Sequence, residues 1–214
     1  MKRKLSLLLL ITVLSIVSSG KLFAQREKII SLVPQYVFQN GFRVDYEFTL
    51  RDDWTSWLQL SPTFFISTDG NGIGTYTYKN MRGIGMEVHH KYFMQEPDER
   101  RGFYFAYGGG LQLLGVTADQ LVAYQYTENG IPYTSYHDDE VDTAINRLLL
   151  NVMVGRQGVR HKPFIVDYYL GIGFRYSMDN DFKLLNNYNE SWFDYGYSGS
   201  LIVAGVKLGF NITK

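Results

Sequence analysis

The stretch GFRVDYEFTL, residues 41–50, alternates without a break. Phe42, Val44, Tyr46, Phe48 and Leu50 hold the even positions, and Arg43, Asp45, Glu47 and Thr49 the odd ones. A period of two means an extended strand, with apolar groups on one face and charges on the other. Such a strand has two homes. In a soluble barrel the apolar face makes the core and the charges meet water. In a barrel set in a bilayer the apolar face meets lipid and the charges fill the lumen. The local pattern is the same in both, so the rest of the chain must decide.

Residues 1–24 read as a secretory signal peptide. Lys2, Arg3 and Lys4 form a basic start, Leu5 to Val17 an apolar and small-residue run, and Ser18 to Ala24 a more polar stretch before Gln25. The apolar run is too short for a stable membrane helix. Leu22 occupies the −3 position, where a small residue is usual. The domain that remains spans 25–214. The chain has no cysteine, hence no lipid-attachment thiol and no disulfide framework. An exported chain of this kind needs a large core or a membrane to stabilise it. Cleavage removes four of the 21 basic residues and none of the 21 acids, leaving a mildly acidic protein without a nucleic-acid signature. Seventeen tyrosines and 21 glycines suit β-structure, and no segment after the leader sustains a 3.6-residue period.

Alternation recurs and predicts eight strands, near 29–38, 41–50, 55–67, 80–95, 101–117, 143–156, 164–176 and 197–213. In the seventh, Phe164, Val166, Tyr168, Leu170, Ile172, Phe174 and Tyr176 oppose Asp167, Tyr169, Gly171, Gly173 and Arg175. Many of these runs exceed the roughly five or six residues usual in soluble sheets and match the roughly 9–11 that cross a bilayer at a tilt. The connections show a parity. Short charged turns, RDDW, QEPDERR and RQGVRHKP, follow strands two, four and six. Long polar loops, 68–79, 118–142 and 177–196, follow strands three, five and seven, and only the connection at 39–41 breaks the rule. Short turns on one side and long loops on the other are the pattern of outer-membrane barrels.

With this leader, these strands and this parity, residues 28–213 resemble the small outer-membrane β-barrels of Gram-negative bacteria, such as the transmembrane domain of outer-membrane protein A. The chain departs from many of them at its end, GFNITK, where Phe210 lies four residues from the terminus. The resemblance implies an all-β, eight-stranded antiparallel up-and-down transmembrane barrel, porin-like, with both termini in the periplasm. It implies outer-membrane lipid and lipopolysaccharide as surroundings, and periplasmic chaperones and the barrel-assembly machinery as partners during biogenesis.

In that orientation the inward charges are Arg43, Asp45, Glu47, Glu87, Lys91, Arg147, Asp167, Arg175 and Lys207, with His89 beside them. An eight-stranded barrel is just wide enough for side chains to fill. An isolated buried charge costs several kcal/mol even after relaxation, so these groups are expected to pair into a plug. Inward glycines at 83, 85, 108, 110, 171, 173, 205 and 209 leave room for Tyr104, Tyr169 and the arginines.

His89 and His90 cannot share a metal ion, because neighbours on a strand face opposite ways. No cofactor or metal site is expected. The glycines at 70, 72 and 74 and at 108–110 precede no helix and read as loop and lumen residues, and the sequons at Asn189 and Asn211 read as chance. An outer-leaflet hydrolase or rim protease would need a Ser/His/acid set on the loop side, where only SYHDDE, Ser135 to Glu140, offers one. The same acids suggest another alternative, a calcium ion. The reading adopted is non-enzymatic. Tyr133, Tyr136, His137, Asp138, Asp139 and Trp192 mark a surface for an extracellular ligand: a glycan, a protein or lipopolysaccharide. The expected function is a structural or surface-interaction protein with a closed lumen. A narrow solute channel, the hydrolase and a secreted lipocalin-like barrel with Arg43, Asp45 and Glu47 outward are the alternatives.

Overall fold

The computed structural model describes residues 27–50, 55–70, 78–94, 102–161, 163–179 and 192–213. The leader, most of the turns after the second and fourth strands, and segments 71–77 and 180–191 lie outside the described residues.

Eight antiparallel strands close into a barrel in sequence order: β1 Lys28–Leu32, β2 Gly41–Thr49, β3 Ser56–Gly70, β4 Tyr78–Phe93, β5 Phe103–Glu128, β6 Ile131–His161, β7 Phe164–Asp179 and β8 Gly199–Asn211. Closure comes from β1 and β8, which pair from Ile29↔Asn211 to Leu32↔Leu208. The barrel is inverted relative to a soluble one. Outward Ile66 and Ile172 are 72% and 69% exposed, while inward Arg43, Asp45 and Glu47 are 5%, 0% and 0% exposed. This excludes the lipocalin-like arrangement, in which those three would face out.

Two expectations need correction. The predicted loop 118–142 is strand: β5 and β6 pair unbroken from Phe103↔Arg156 to Glu128↔Ile131. Asn129 (φ 53°) and Gly130 (φ 81°) form the two-residue turn between them. Asn-Gly with both φ positive matches the right-handed strand twist and is the strongest short hairpin signal. Beyond the last partners on either side, Thr117↔Asn80 and Ile145↔Asp179, this hairpin continues as a two-stranded ribbon with no third strand among the described residues. Second, the first strand stops at Leu32 rather than 38. Pro34 has no N–H for a ladder and instead starts a 3-10 turn, Pro34–Gln39, which Asn40 (φ 52°) ends in the left-handed region. On the outer face, as the alternation predicts, Phe48 is only 7% exposed, its ring 5.6 Å from that of Tyr46.

Inside, two apolar clusters bracket a charged middle. Toward the end where β1 begins and β8 finishes, Trp57, Phe93, Tyr104, Ile29 and Ile165 pack together. At the opposite end are Phe65, Met81, Leu114, Ile145 and Tyr195, with Tyr36 against them. The Tyr104 ring lies against Gly155, its partner across the ladder, where any β-carbon would strike the phenol.

Candidate functional site

All ten lumen residues expected from the alternation are buried. Seven of them form one chain of alternating charge: Asp167, Lys91, Glu47, Lys207, Asp45, Arg43, Glu87. Lys91 Nζ is 2.8 Å from Asp167 Oδ2 and 2.9 Å from Glu47 Oε2. Lys207 Nζ is 3.5 Å from Glu47 Oε1 and 2.9 Å from Asp45 Oδ2. Arg43 Nε meets Asp45 Oδ1 at 2.7 Å, and its Nη1 meets Glu87 Oε1 at 3.1 Å. Neutral groups take up remaining positions. Tyr104 Oη donates to Asp167 at 2.7 Å, Gln157 donates to Glu47 at 3.1 Å, and Lys207 donates to Gln59 at 2.6 Å. His89 Nε2 sits 3.7 Å from Glu87, with Asn151 donating to the same carboxylate at 3.3 Å. Opposite charges in contact along this chain are what make so many charges tolerable in a poorly hydrated space.

Arg147 and Arg175 stand apart from this chain. Both turn to the segment preceding β8: Arg147 Nε donates to the Tyr195 carbonyl, and Arg175 Nη1 donates to those of Trp192 and Asp194 at 3.4 Å each. That segment and the 3-10 turn together cover the barrel mouth, joined by the Tyr195 hydroxyl donating to the Gln39 carbonyl at 2.7 Å. Asp194 is buried there, an inward acid within the predicted loop 177–196. Gln59 and Asn151 were legible from parity in strands three and six. Tyr36, which receives a 2.7 Å bond from Arg43, was not, because it enters the lumen only where the chain leaves β1.

The surface residues divide by face. On the projecting ribbon, Tyr133, Ser135, His137 and Asp139 continue the lumen-side row of β6, and Tyr136 and Asp138 the outward row. Contiguous Asp138 and Asp139 therefore point apart, which removes the calcium alternative for that pair. Among the described residues no three His, Cys, Asp or Glu side chains converge as a metal site. Tyr126 stacks on Tyr133 at 5.6 Å, and Tyr124 lies 5.7 Å from His137. Ser135 Oγ and His137 Nε2 approach to 3.0 Å. Asp139, however, is engaged by the Tyr124 hydroxyl at 2.6 Å and the Glu140 N–H at 2.9 Å rather than by His137. The acid that would orient the imidazole is thus committed elsewhere, and the ribbon is exposed to water on both faces, unlike a triad site. Trp192 is exposed at the barrel rim, away from the ribbon's free end.

Fold and interior define a class: a closed eight-stranded barrel with an apolar exterior and a charged, plugged interior. Among solved structures, the chain is similar to two crystal structures from Acinetobacter baumannii. CarO matches at 12% identity and a TM-score of 0.42, covering 88% of this chain and 97% of that one. CarO2 matches at 12% identity and 0.41, covering 87% and 97%. No protein-family model and no curated protein matches the sequence.

Proposed function

We propose that the protein is a bacterial outer-membrane barrel, termini in the periplasm, whose closed lumen is structural and whose working surface is the β5–β6 ribbon. The observation that carries this is the inversion of the wall, with large apolar side chains outside and ion pairs inside, an arrangement water would not stabilise. Apolar clusters at both ends and a mouth covered by two chain segments support a closed lumen rather than a solute channel. The ribbon supplies stacked tyrosines beside hydrogen-bonding Ser135, His137 and Asp139, chemistry suited to sugar rings or to a partner protein. Lipopolysaccharide is the nearest glycan in that setting.

Two measurements test the proposal. The chain should fractionate with outer membranes and run as a heat-modifiable band; recovery as a soluble periplasmic protein refutes it. In planar bilayers the folded protein should show no steady openings. Large, long-lived conductance would return the channel reading.

A further inference from the structure

β1 is the shortest strand, five residues against thirteen in β8. Its ladder to β8 ends at Leu32↔Leu208, so among the described residues the edge of β8 from Gly199 to Lys207 has no strand beside it. The 3-10 turn Pro34–Gln39 crosses this place instead, and among the described residues no backbone hydrogen bond joins the turn to β8. The wall is filled there by side chains: Gln35 and Tyr36 point inward, bonded to Tyr169 and Arg43, while Val37 and Phe38 are 65% and 69% exposed. The gap lies within the apolar belt, since Ile202 on this edge pairs with Ile172 of β7 and both are exposed. Open sheet edges do not occur in hydrocarbon except where they line a cavity.

This edge does line one. A cavity of about 110 Å³ lies behind it, bounded by Leu201–Ala204 on the wall and by Arg43, Arg175, Lys207 and Glu87 inside. Arg43 and Lys207 are matched by carboxylates of the ion-pair chain. Arg175 is not: it is 8% exposed, no described carboxylate lies within ion-pair distance, its Nε has no partner, and its Nη1 makes only the two long bonds to carbonyls. A buried guanidinium with an unused edge is a fork for a planar anion. The space holds at least several waters, enough for a carboxylate.

We propose that the gap between the 3-10 turn and β8 is a lateral portal from the membrane. The cavity behind it binds the carboxylate of a single-chain fatty acid on Arg175, and the acyl chain leaves past Val37, Phe38 and Ile202 into lipid. The portal rests on the membrane setting proposed above.

The test uses the full barrel folded in zwitterionic-lipid nanodiscs, titrated with a spin-labelled long-chain fatty acid, its methyl ester and acetate. Saturable binding of the acid is expected, at least tenfold weaker for the ester and for Arg175→Gln, and intermediate for Arg175→Lys. Because the chain has no cysteine, Val37→Cys and Ile202→Cys can be bridged by a bis-maleimide. The bridge should abolish binding and the unbridged pair should keep it, which tests the portal even where Arg175→Gln fails to fold. Equal binding of acid and ester, binding indifferent to Arg175→Gln or to the bridge, or acetate binding as tightly as the long chain overturns the proposal. A heat-modifiable band without binding refutes the portal alone. Absence of that band in the wild-type protein refutes the membrane barrel itself.

Discussion

Lys91 and Lys79 each sit between two carboxylates at nearly the same distances, 2.9 and 2.8 Å for Lys91 and 2.7 and 2.6 Å for Lys79. Environment separates them. Lys91 is fully buried, its Nζ also 4.1 Å from the centre of the Tyr104 ring, so removing it leaves Glu47 and Asp167 with only the longer ion-pair contacts to Lys207, at 3.5 and 4.0 Å. Lys91→Met should destabilise the barrel by about 3–5 kcal/mol, the cost typical of breaking a buried pair, read as a shifted urea midpoint in detergent. Lys79→Met, on the exposed rim, should barely move the same midpoint, because water and salt screen such pairs. Comparable losses in the two variants would mean that the lumen is wet. On the ribbon, the hydrogen bond from Tyr124, and next that from the Glu140 N–H, hold the Asp139 carboxyl below its usual range. The same bond raises the Tyr124 phenol. A depressed folded value means the bond's contribution is present above the unfolded carboxylate pKa, about 4, and is lost as pH falls through the lowered one. Tyr124→Phe should bring the Asp139 titration, followed by carboxyl NMR, back toward the ordinary range; an unchanged curve would show that the bond is absent in solution.

At the level of elements, the ribbon and the barrel meet only at the ribbon's base among the described residues. There, past Thr117 and Ile145, the two strands pair with each other, Ala118 packs against the mouth cluster, and Lys79 reaches Asp119 and Glu140. Replacing Asp119–Glu140 with Asn-Gly keeps Ala118↔Val141 as the last pair and a turn of the right hand. The shortened protein should refold with an unchanged urea midpoint and keep its heat-modifiable band, while losing any ligand that binds the tyrosine face. A collapse in stability would show that the ribbon packs on the barrel mouth. The Asn-Gly signal was present in the sequence all along; a polar run with charges on both faces hid it, because a ribbon exposed on both sides carries no apolar alternation.

For the whole molecule, the question is which solvent meets the wall. Ile172 stands mid-belt, between Val152 on β6 and Ile202 on β8, all three exposed. Ile172→Arg should cost about 2–4 kcal/mol in lipid, as for a cation near the bilayer midplane, measured by refolding into vesicles. The same substitution on a water-facing wall would be nearly silent, so a silent result counts against the membrane setting.

What the sequence by itself determined follows from one local fact, that a strand alternates its faces every residue. Parity placed Arg43, Asp45, Glu47, Glu87, His89, Lys91, Asp167 and Lys207 on one surface, and the alternating strands fixed their number as eight. Only the tertiary structure decided who pairs with whom. Lys91 joins Glu47 and Asp167 across 44 and 76 residues of chain, and Lys207 reaches Gln59 across 148. Those meetings depend on the stagger of every strand around the closed barrel, which no single strand encodes. The same holds for Arg147 and Arg175, which parity grouped with the ion pairs but which closure sets beneath the segment before β8. It holds too for the short β1, where a proline ends a strand and the unpartnered edge of β8 appears only once the barrel has closed.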